Sequence, residues 1–398
     1  MSKQSAVPMV VRSHRQLESQ LGITPPKLPI SSLGATYTMA QVAAWIDSER
    51  YAVGRWDGSM SIFDFSDGAN GRPKITIAVS TPSTEGVQMI EWLAPKLIAT
   101  SNDEGSMLLW STSRGDWEDI DVANTLAYPA TLGVANSATC FSENGSVCLV
   151  VGHAGGHLTI WKGSSPDSFA MVGAPVDLTT PAPSNPFGLQ NIRGAALLDI
   201  GVGEGSSARH VITGSENGLI CVVEVPTGRV LSRTPYNPGA QRGINAISVT
   251  GKHVAVANCA VGPADHNLWY FTVDAATWRP ELRSKLNLTI DGSRAQVFNF
   301  DVAWCLYDDG GSGRAGVLAS TEEGYLWLAS LQDDVTIAVV GNQSITSPLG
   351  CALALNTSGQ LAVSAYDLYN FQLAVPPASN ASGHPGQMTP QMLLLEAT

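Results

Sequence analysis

Three arginines stand at the same kind of place in a repeating pattern. They are Arg193 in Asn-Ile-Arg-Gly-Ala-Ala-Leu, Arg242 in Gln-Arg-Gly-Ile-Asn-Ala-Ile and Arg294 in Ser-Arg-Ala-Gln-Val-Phe, each at the entry to an apolar run. A guanidinium group is a planar fork that grips a carboxylate or a phosphate through two parallel hydrogen bonds. Three of them converging on one surface would form a basic arc suited to an acidic peptide, a phosphate or a nucleic-acid end. The same arginines also have acids within reach in sequence, Asp199, Glu216 and Asp301, and local pairing would consume their charge. Trp56 lies in a turn of the first repeat, and Tyr366 and Tyr369 in a turn of the last. A closed ring would bring these rings together, either as interface anchors or as packing at the closure.

Other chemistry has little support. His153 and His157 flank Ala-Gly-Gly in a turn. A metal ion needs a third donor that the neighbouring sequence does not supply, so no metal site and no cofactor is expected. There is no Gly-x-Ser-x-Gly elbow and no phosphate-cradling glycine loop opening a helix, so no catalytic residue is assigned. The six cysteines (Cys140, Cys148, Cys221, Cys259, Cys305 and Cys351) form no C-x-x-C pair, and all but Cys259 sit in apolar runs, as free thiols in a core would. With 22 Lys and Arg against 34 Asp and Glu, the net charge of −12 argues against nonspecific binding of nucleic acid or of an anionic membrane. No apolar stretch approaches the ~20 residues that span a bilayer. Met1-Ser-Lys-Gln-Ser lacks the start of a secretory signal, and a soluble, cytoplasmic chain is expected.

What positions these residues is a motif that returns about every 50 residues: an apolar run, a polar turn, another apolar run. From the turn residues Gly58, Gly105, Gly156, Gly218 and Gly324, five places on, lie Phe63, Trp110, Trp161, Val223 and Ala329. The same offset runs from His266 to Phe271 and from Asn370 to Val375. Each hairpin is preceded by a strand-like run, and most are followed by a fourth. Four antiparallel strands repeated seven times make an all-β, seven-bladed β-propeller. Its blades stack face to face, so strands read as continuous apolar runs rather than alternating ones. The expected blades cover approximately residues 40–80, 86–128, 136–178, 191–236, 242–290, 295–341 and 349–398, within a propeller domain of 34–398. Thr179–Gln190, rich in Pro, Ser, Thr and Asn, is an exposed insertion between the third and fourth.

Residues 1–33 form an N-terminal arm. Ser13-His-Arg-Gln16 has the form of a capping box and Gly22 that of a stop, which predicts a short helix over 14–21; Pro25, Pro26 and Pro29 then extend the arm. At the other end, Gln391-Met-Leu-Leu-Leu-Glu396 reads as a strand completing the seventh blade, with the N-terminal segment nearby.

These hairpins resemble those of the WD-repeat propeller family. The likeness lies in Asp57-Gly58 with Phe63-Asp64, Glu104-Gly105 with Trp110, Gly155-Gly156 with Trp161, and Asn217-Gly218 with Val223-Glu224, and it spans roughly residues 40–398. The chain departs from the family in having no Gly-His pair before a first strand, so the buried Asp-His-Ser/Thr-Trp network is absent as a set. The resemblance implies a rigid, non-catalytic interaction platform or scaffold subunit of a complex. It would bind a protein partner through the propeller's upper surface, with Arg193, Arg242 and Arg294 supplying charge and Trp56, Tyr366 and Tyr369 apolar anchors. The alternative is a hydrolase-like propeller enzyme acting on a small polar substrate in the central channel, which would need convergent Asp, Glu and His there.

Overall fold

Leu97–Ser101 and Leu268–Val273 are buried along their whole lengths, and His253–Asn258 along all but its first residue. A strand is apolar on both faces when its sheet lies between two others. The computed structural model describes residues 9–16, 40–55, 58–65, 72–79, 86–180, 188–200, 209–238, 243–258, 266–288, 299–308, 313–321, 324–333, 335–344, 352–355, 360–364 and 367–373.

These residues form a β-propeller of four-stranded antiparallel blades. Six blades are cut from consecutive strands and run outward from an inner strand. Blade one is Ala40–Trp45, Arg50–Arg55, Ser59–Asp64 and Arg72–Ala78. Blade two is Ile90–Ala94, Leu97–Ser101, Ser106–Ser111 and Asp121–Ala127. Blade three is Ala135–Glu143, Ser146–His153 and His157–Gly163, its outer place shared by Ala170–Met171 and Val176–Asp177. Blade four is Ile192–Leu198, Arg209–Ser215, Leu219–Val225 and Arg229–Pro235. Blade five is Ile244–Thr250, His253–Asn258, Leu268–Val273 and Pro280–Leu286. Blade six is Asn299–Asp308, Gly313–Thr321, Tyr325–Gln332 and Thr336–Ser344.

The remaining sheet corrects two expectations. Instead of a seventh blade cut from 349–398 alone, Ala352–Leu355, Gln360–Ser364 and Asp367–Leu373 are joined by Met9–Gln16 from the other end of the chain. And instead of a helix beginning at 14, residues 9–16 are a strand antiparallel to Asp367–Leu373, with Ser13 opposite Asn370 and Gln16 opposite Asp367. The physical reason is a contest of scales. A capping box contributes ~1 kcal/mol of local preference. An open sheet edge offers a whole ladder of backbone hydrogen bonds to a segment beginning Met9-Val-Val. The rest of the expected helix, and the strand expected at 391–396, lie outside the described residues.

One hydrophobic cluster fills each space between successive blades. Ile46, Ile62, Ile98 and Trp110 lie between blades one and two, and Leu198, Ile220, Val256 and Trp269 between four and five. Near the inner end of the interface, the second strand of each of the six blades carries a small residue, Gly54, Ser101, Gly152, Gly214, Ala257 or Ser320. The reason is contact. A Cβ on Gly152 would stand 2.5 Å from Ile192 Cγ2, and one on Gly214 2.6 Å from Ile244 Cγ2. At Gly54, Gly152 and Gly214 the β-branched residue that opens the next blade, Val87, Ile192 or Ile244, therefore rests on bare backbone.

Gly152→Ala should lower stability by about 1–3 kcal/mol through overpacking, read as a fall in the thermal unfolding midpoint. Combined with Ile192→Ala, the loss should be smaller than the two single losses added together. Additive losses would mean that these two residues do not set the spacing between blades.

Candidate functional site at the mouth of the central channel

Five of the six inner strands begin with the same irregularity. Their pairing slips by one residue between Ala40 and Val42, Ala135 and Ser137, Ile192 and Gly194, Ile244 and Ala246, and Asn299 and Asp301. A bulge leaves one residue out of the ladder and re-aims its side chain. The residues left over are Gln41, Asn136, Arg193, Asn245 and, with its side chain outside the described set, Phe300. Blade two has no slip there, but Ser101 N–H bonds to Met89 O, which puts Gln88 at the same place. The side chains of Gln41, Gln88, Asn136, Arg193 and Asn245 thus form a collar of four carboxamides and one guanidinium. They line a cavity of about 220 Å³ together with Ser137 and Asp301.

Within the collar, Arg193 donates from Nε to Glu216 Oε1 at 3.1 Å and from Nη1 to Gln88 Oε1 at 3.2 Å. Gln41 Nε2 also donates to Gln88 Oε1. Asn191 Nδ2 holds the other oxygen of Glu216 at 2.5 Å. Gln41 Oε1 is buried and accepts nothing. Asn136 is 9% exposed, and its carboxamide has no hydrogen-bond partner among the described residues.

The channel-facing edges of the inner strands are served by side chains from neighbouring blades. Asp301 accepts the N–H of Val302 at 2.8 Å and, across to the joining sheet, that of Leu353 at 2.9 Å. Ser248 Oγ accepts Trp304 N–H at 3.1 Å, and Ser137 Oγ donates to Ile192 O at 2.8 Å. Glu91 accepts the backbone N–H of Cys140, on the next inner strand, whose thiol donates to Trp92 O at 3.1 Å. Burial raises the Asp301 carboxyl to about 6 and the Glu91 carboxyl to about 7, their hydrogen bonds offsetting only part of the effect. Burial also pushes the Cys140 thiol well above its ordinary value, and those of Cys221 and Cys305 to about 12, so these sulfurs stay protonated and inert.

Of the residues singled out in the sequence, Arg193 is in the collar and engaged by Glu216, one of the acids named as a local partner. The register assigns its place in blades five and six to Asn245 and Phe300 rather than to Arg242 and Arg294. Arg242, Arg294, Trp56 and Tyr366 lie outside the described residues. Tyr369 is on Asp367–Leu373, with its backbone opposite Val363 and His14. His153 is fully buried, within 2.8 Å of Thr159 Oγ1, which also accepts Trp161 Nε1 at 2.9 Å; burial lowers its pKa to about 4. Blade three thus holds a His-Thr-Trp part of the network that is absent as a full set, and blade two a Thr100–Trp110 pair at 2.9 Å. The carboxamides of the collar carry no charge to mark them in the sequence. The signal that would have found them is position, since Gln41, Gln88, Asn136 and Asn245 stand just ahead of their apolar runs as Arg193 does.

No family model matches the sequence, and no curated protein matches it. Solved structures do. The chain is similar to the WD40 β-propeller domain of Doa1 (TM-score 0.57, 12% identity, covering 87% of this chain and 95% of that one). It is similar to the β-propeller domain of Myceliophteria thermophila Cps50 (Swd1), with TM-score 0.56 and 12% identity over 83% of this chain and 96% of that one. It is also similar to U3-55K, with TM-score 0.61 and 10% identity over 86% and 97%. At these identities the likeness is one of fold: the protein is a β-propeller whose solved neighbours are WD40 propellers.

The raised carboxyl of Glu91 ties stability to pH. The folded chain holds this proton more tightly than the unfolded one, so the penalty is absent at low pH. It grows as pH rises from the ordinary 4.5 through about 7. Glu91→Gln should therefore unfold at a higher temperature than wild type at pH 8, with the gap closing at pH 4.5. A gap independent of pH would show that Glu91 is not protonated on folding.

Proposed function

We propose that the protein is a non-catalytic interaction platform that receives a protein partner on the face where the inner strands enter the channel. The observation that carries this reading is the collar itself: five equivalent positions on five successive blades, all polar, converge on one open cavity. WD40 propellers are typically protein-interaction scaffolds in complexes, and the similarity to three of them supports the same role here. Against a hydrolytic channel stands the use made of its acids. Asp301 and Glu91 each hold a backbone N–H of the next sheet, a structural task, and among the described residues neither is paired with a base. Counting the joining sheet, which packs between the inner strands of blades six and one, we take the ring as seven-bladed. Arg193 contributes position and hydrogen bonding more than net charge, because Glu216 neutralises it.

The test is capture of partners from native lysate by wild type and by an Arg193→Ala/Arg242→Ala/Arg294→Ala variant shown by circular dichroism to be folded. Partners held by wild type should be lost or reduced at least tenfold with the variant. Equal recovery by both proteins would remove the arginine-bearing face as the docking surface.

A further inference from the structure

The arginines of blades four and five that lie among the described residues divide in two. Arg193, Arg209, Arg229 and Arg283 pair with Glu216, Asp199, Glu224 and Glu281 at 3.1, 3.5, 2.7 and 2.8 Å. Arg233 and Arg279 form no such pair. Arg233 donates to the main-chain oxygens of Asp177 at 2.6 Å and Thr179 at 3.2 Å, which are neutral and leave its charge in place. The Asp177 carboxylate is itself bonded by the N–H and the hydroxyl of Thr179. Arg279 is exposed, and its guanidinium has no hydrogen bond or ion pair among the described residues. These same two residues line one cleft of about 620 Å³ on the flank of the ring. Its long wall is Val230 to Pro235, on the outer strand of blade four. Its short wall is Arg279 and Pro280, where the outer strand of blade five begins, and no acid is among the residues that line it.

The two walls are held to each other. Ser232 Oγ donates to Trp278 O at 2.6 Å, from one wall to the residue that precedes the other. The Trp278 ring stacks on His210 of blade four at 3.7 Å, and its φ of 58° is one that a residue with a side chain keeps only where its surroundings insist. Arg279 is therefore carried on a rigid corner. The edge of the long wall offers little to an added strand. Tyr236 N–H bonds to Gly218 O, so in an antiparallel ladder Thr234 and Ser232 also bond inward, while Arg233 and Pro235 face out. Proline has no N–H, which leaves Arg233 the one backbone donor of the two. Recognition at this cleft falls to side-chain charge.

We propose that the cleft is a second docking surface, on the flank of the ring between blades four and five. It takes an acidic segment of a protein partner whose carboxylates meet Arg279 and Arg233. A guanidinium grips a carboxylate through paired N–H donors, and those of Arg279 are unspent. A basic segment would meet two positive charges that no acid pairs, and an apolar one would cover them without a partner. The field of the whole chain localises the contact. Residues 191–290 carry nine Lys and Arg against seven Asp and Glu, and the rest 13 against 27, so an acidic segment is repelled elsewhere and tolerated here. This surface is additional to the channel face and does not rest on it.

The probes are three fluorescein-labelled peptides, each Gly-Ser, a run of six identical residues, then Ser-Gly, with the run made of glutamate, glutamine or phosphoserine. They are titrated with the full chain at low salt and followed by fluorescence anisotropy. The glutamate peptide should bind with a sub-millimolar Kd, and the glutamine peptide about tenfold more weakly or worse. Raising the salt from about 50 to 500 mM should weaken the glutamate peptide by about tenfold. Arg279→Gln should lower its affinity several-fold and Arg279→Glu further, both with circular dichroism unchanged. Arg114→Glu places the same charge change on an exposed arginine of blade two and should leave the affinity within about twofold of wild type. Equal binding of the glutamate and glutamine peptides, an equal loss in Arg114→Glu and Arg279→Glu, or no binding at millimolar chain would each overturn the proposal. Phosphoserine binding more than tenfold tighter than glutamate would overturn the assignment to carboxylates and make the cleft a phosphate site. The cleft is lined by none of Arg193, Arg242 and Arg294, so this titration and the capture experiment above succeed or fail separately.

Discussion

The inner strand of each blade has one edge with no strand beside it. In an open sheet that edge would be blunted with charge or covered; here the inner strands of successive blades pack side by side instead. Their backbone groups still need partners. The protein supplies them sideways, from the neighbouring blade: Glu91 to Cys140, Ser248 to Trp304, Asp301 to Leu353, Ser137 to Ile192, and Trp45 Nε1 to Ala354 O at 2.9 Å. The same bonds that satisfy the edges also lock each blade's angle to the next. Polar residues on inner strands are therefore structural first, and only those left over, at the bulges, are available for recognition.

That division explains what was legible in the sequence. The turn glycines and the apolar residues five places beyond them report the hairpins directly, because a φ near +80° at Gly58, Gly156 and Gly218 is a local demand that few other residues meet. The all-β propeller follows from that repetition. The joining sheet does not, since which segment completes an edge is a long-range choice, and Ser13 to Gln16 carries a helix-like signature that the sheet overrides. The site was half legible. Arg193 stood out by charge, while Gln41, Gln88, Asn136 and Asn245 share its position without sharing its chemistry. A one-residue slip in pairing decides membership of the collar, and a slip leaves almost no mark in composition.

Charge on this protein also divides by task. Residues 191–290 carry nine Lys and Arg against seven Asp and Glu, whereas the rest of the chain has 13 against 27. Blades four and five are thus the least acidic part of an acidic ring, yet their arginines are mostly engaged nearby. Arg229 pairs with Glu224 at 2.7 Å, Arg283 with Glu281 at 2.8 Å, and Arg233 donates to the backbone oxygens of Asp177 and Thr179. Exposed pairs of this kind contribute little to stability, of the order of 0–1 kcal/mol each. They do keep the outer strands from presenting bare positive edges.

The joining sheet sets an order of events during synthesis. Met9–Gln16 leaves the ribosome early, but its partner Asp367–Leu373 follows some 350 residues later. At 5–20 residues per second the first strand waits roughly 20 to 70 s for its place. Six blades have time to stack on one another in sequence while that strand has nowhere to dock. The ring is therefore an open arc for most of its making and latches in a single late step. A nascent chain of this design carries an unpaired strand made long before its partner and an uncovered sheet edge at the growing end. That arc, and not the finished circle, is the form of the chain exposed while it is being made.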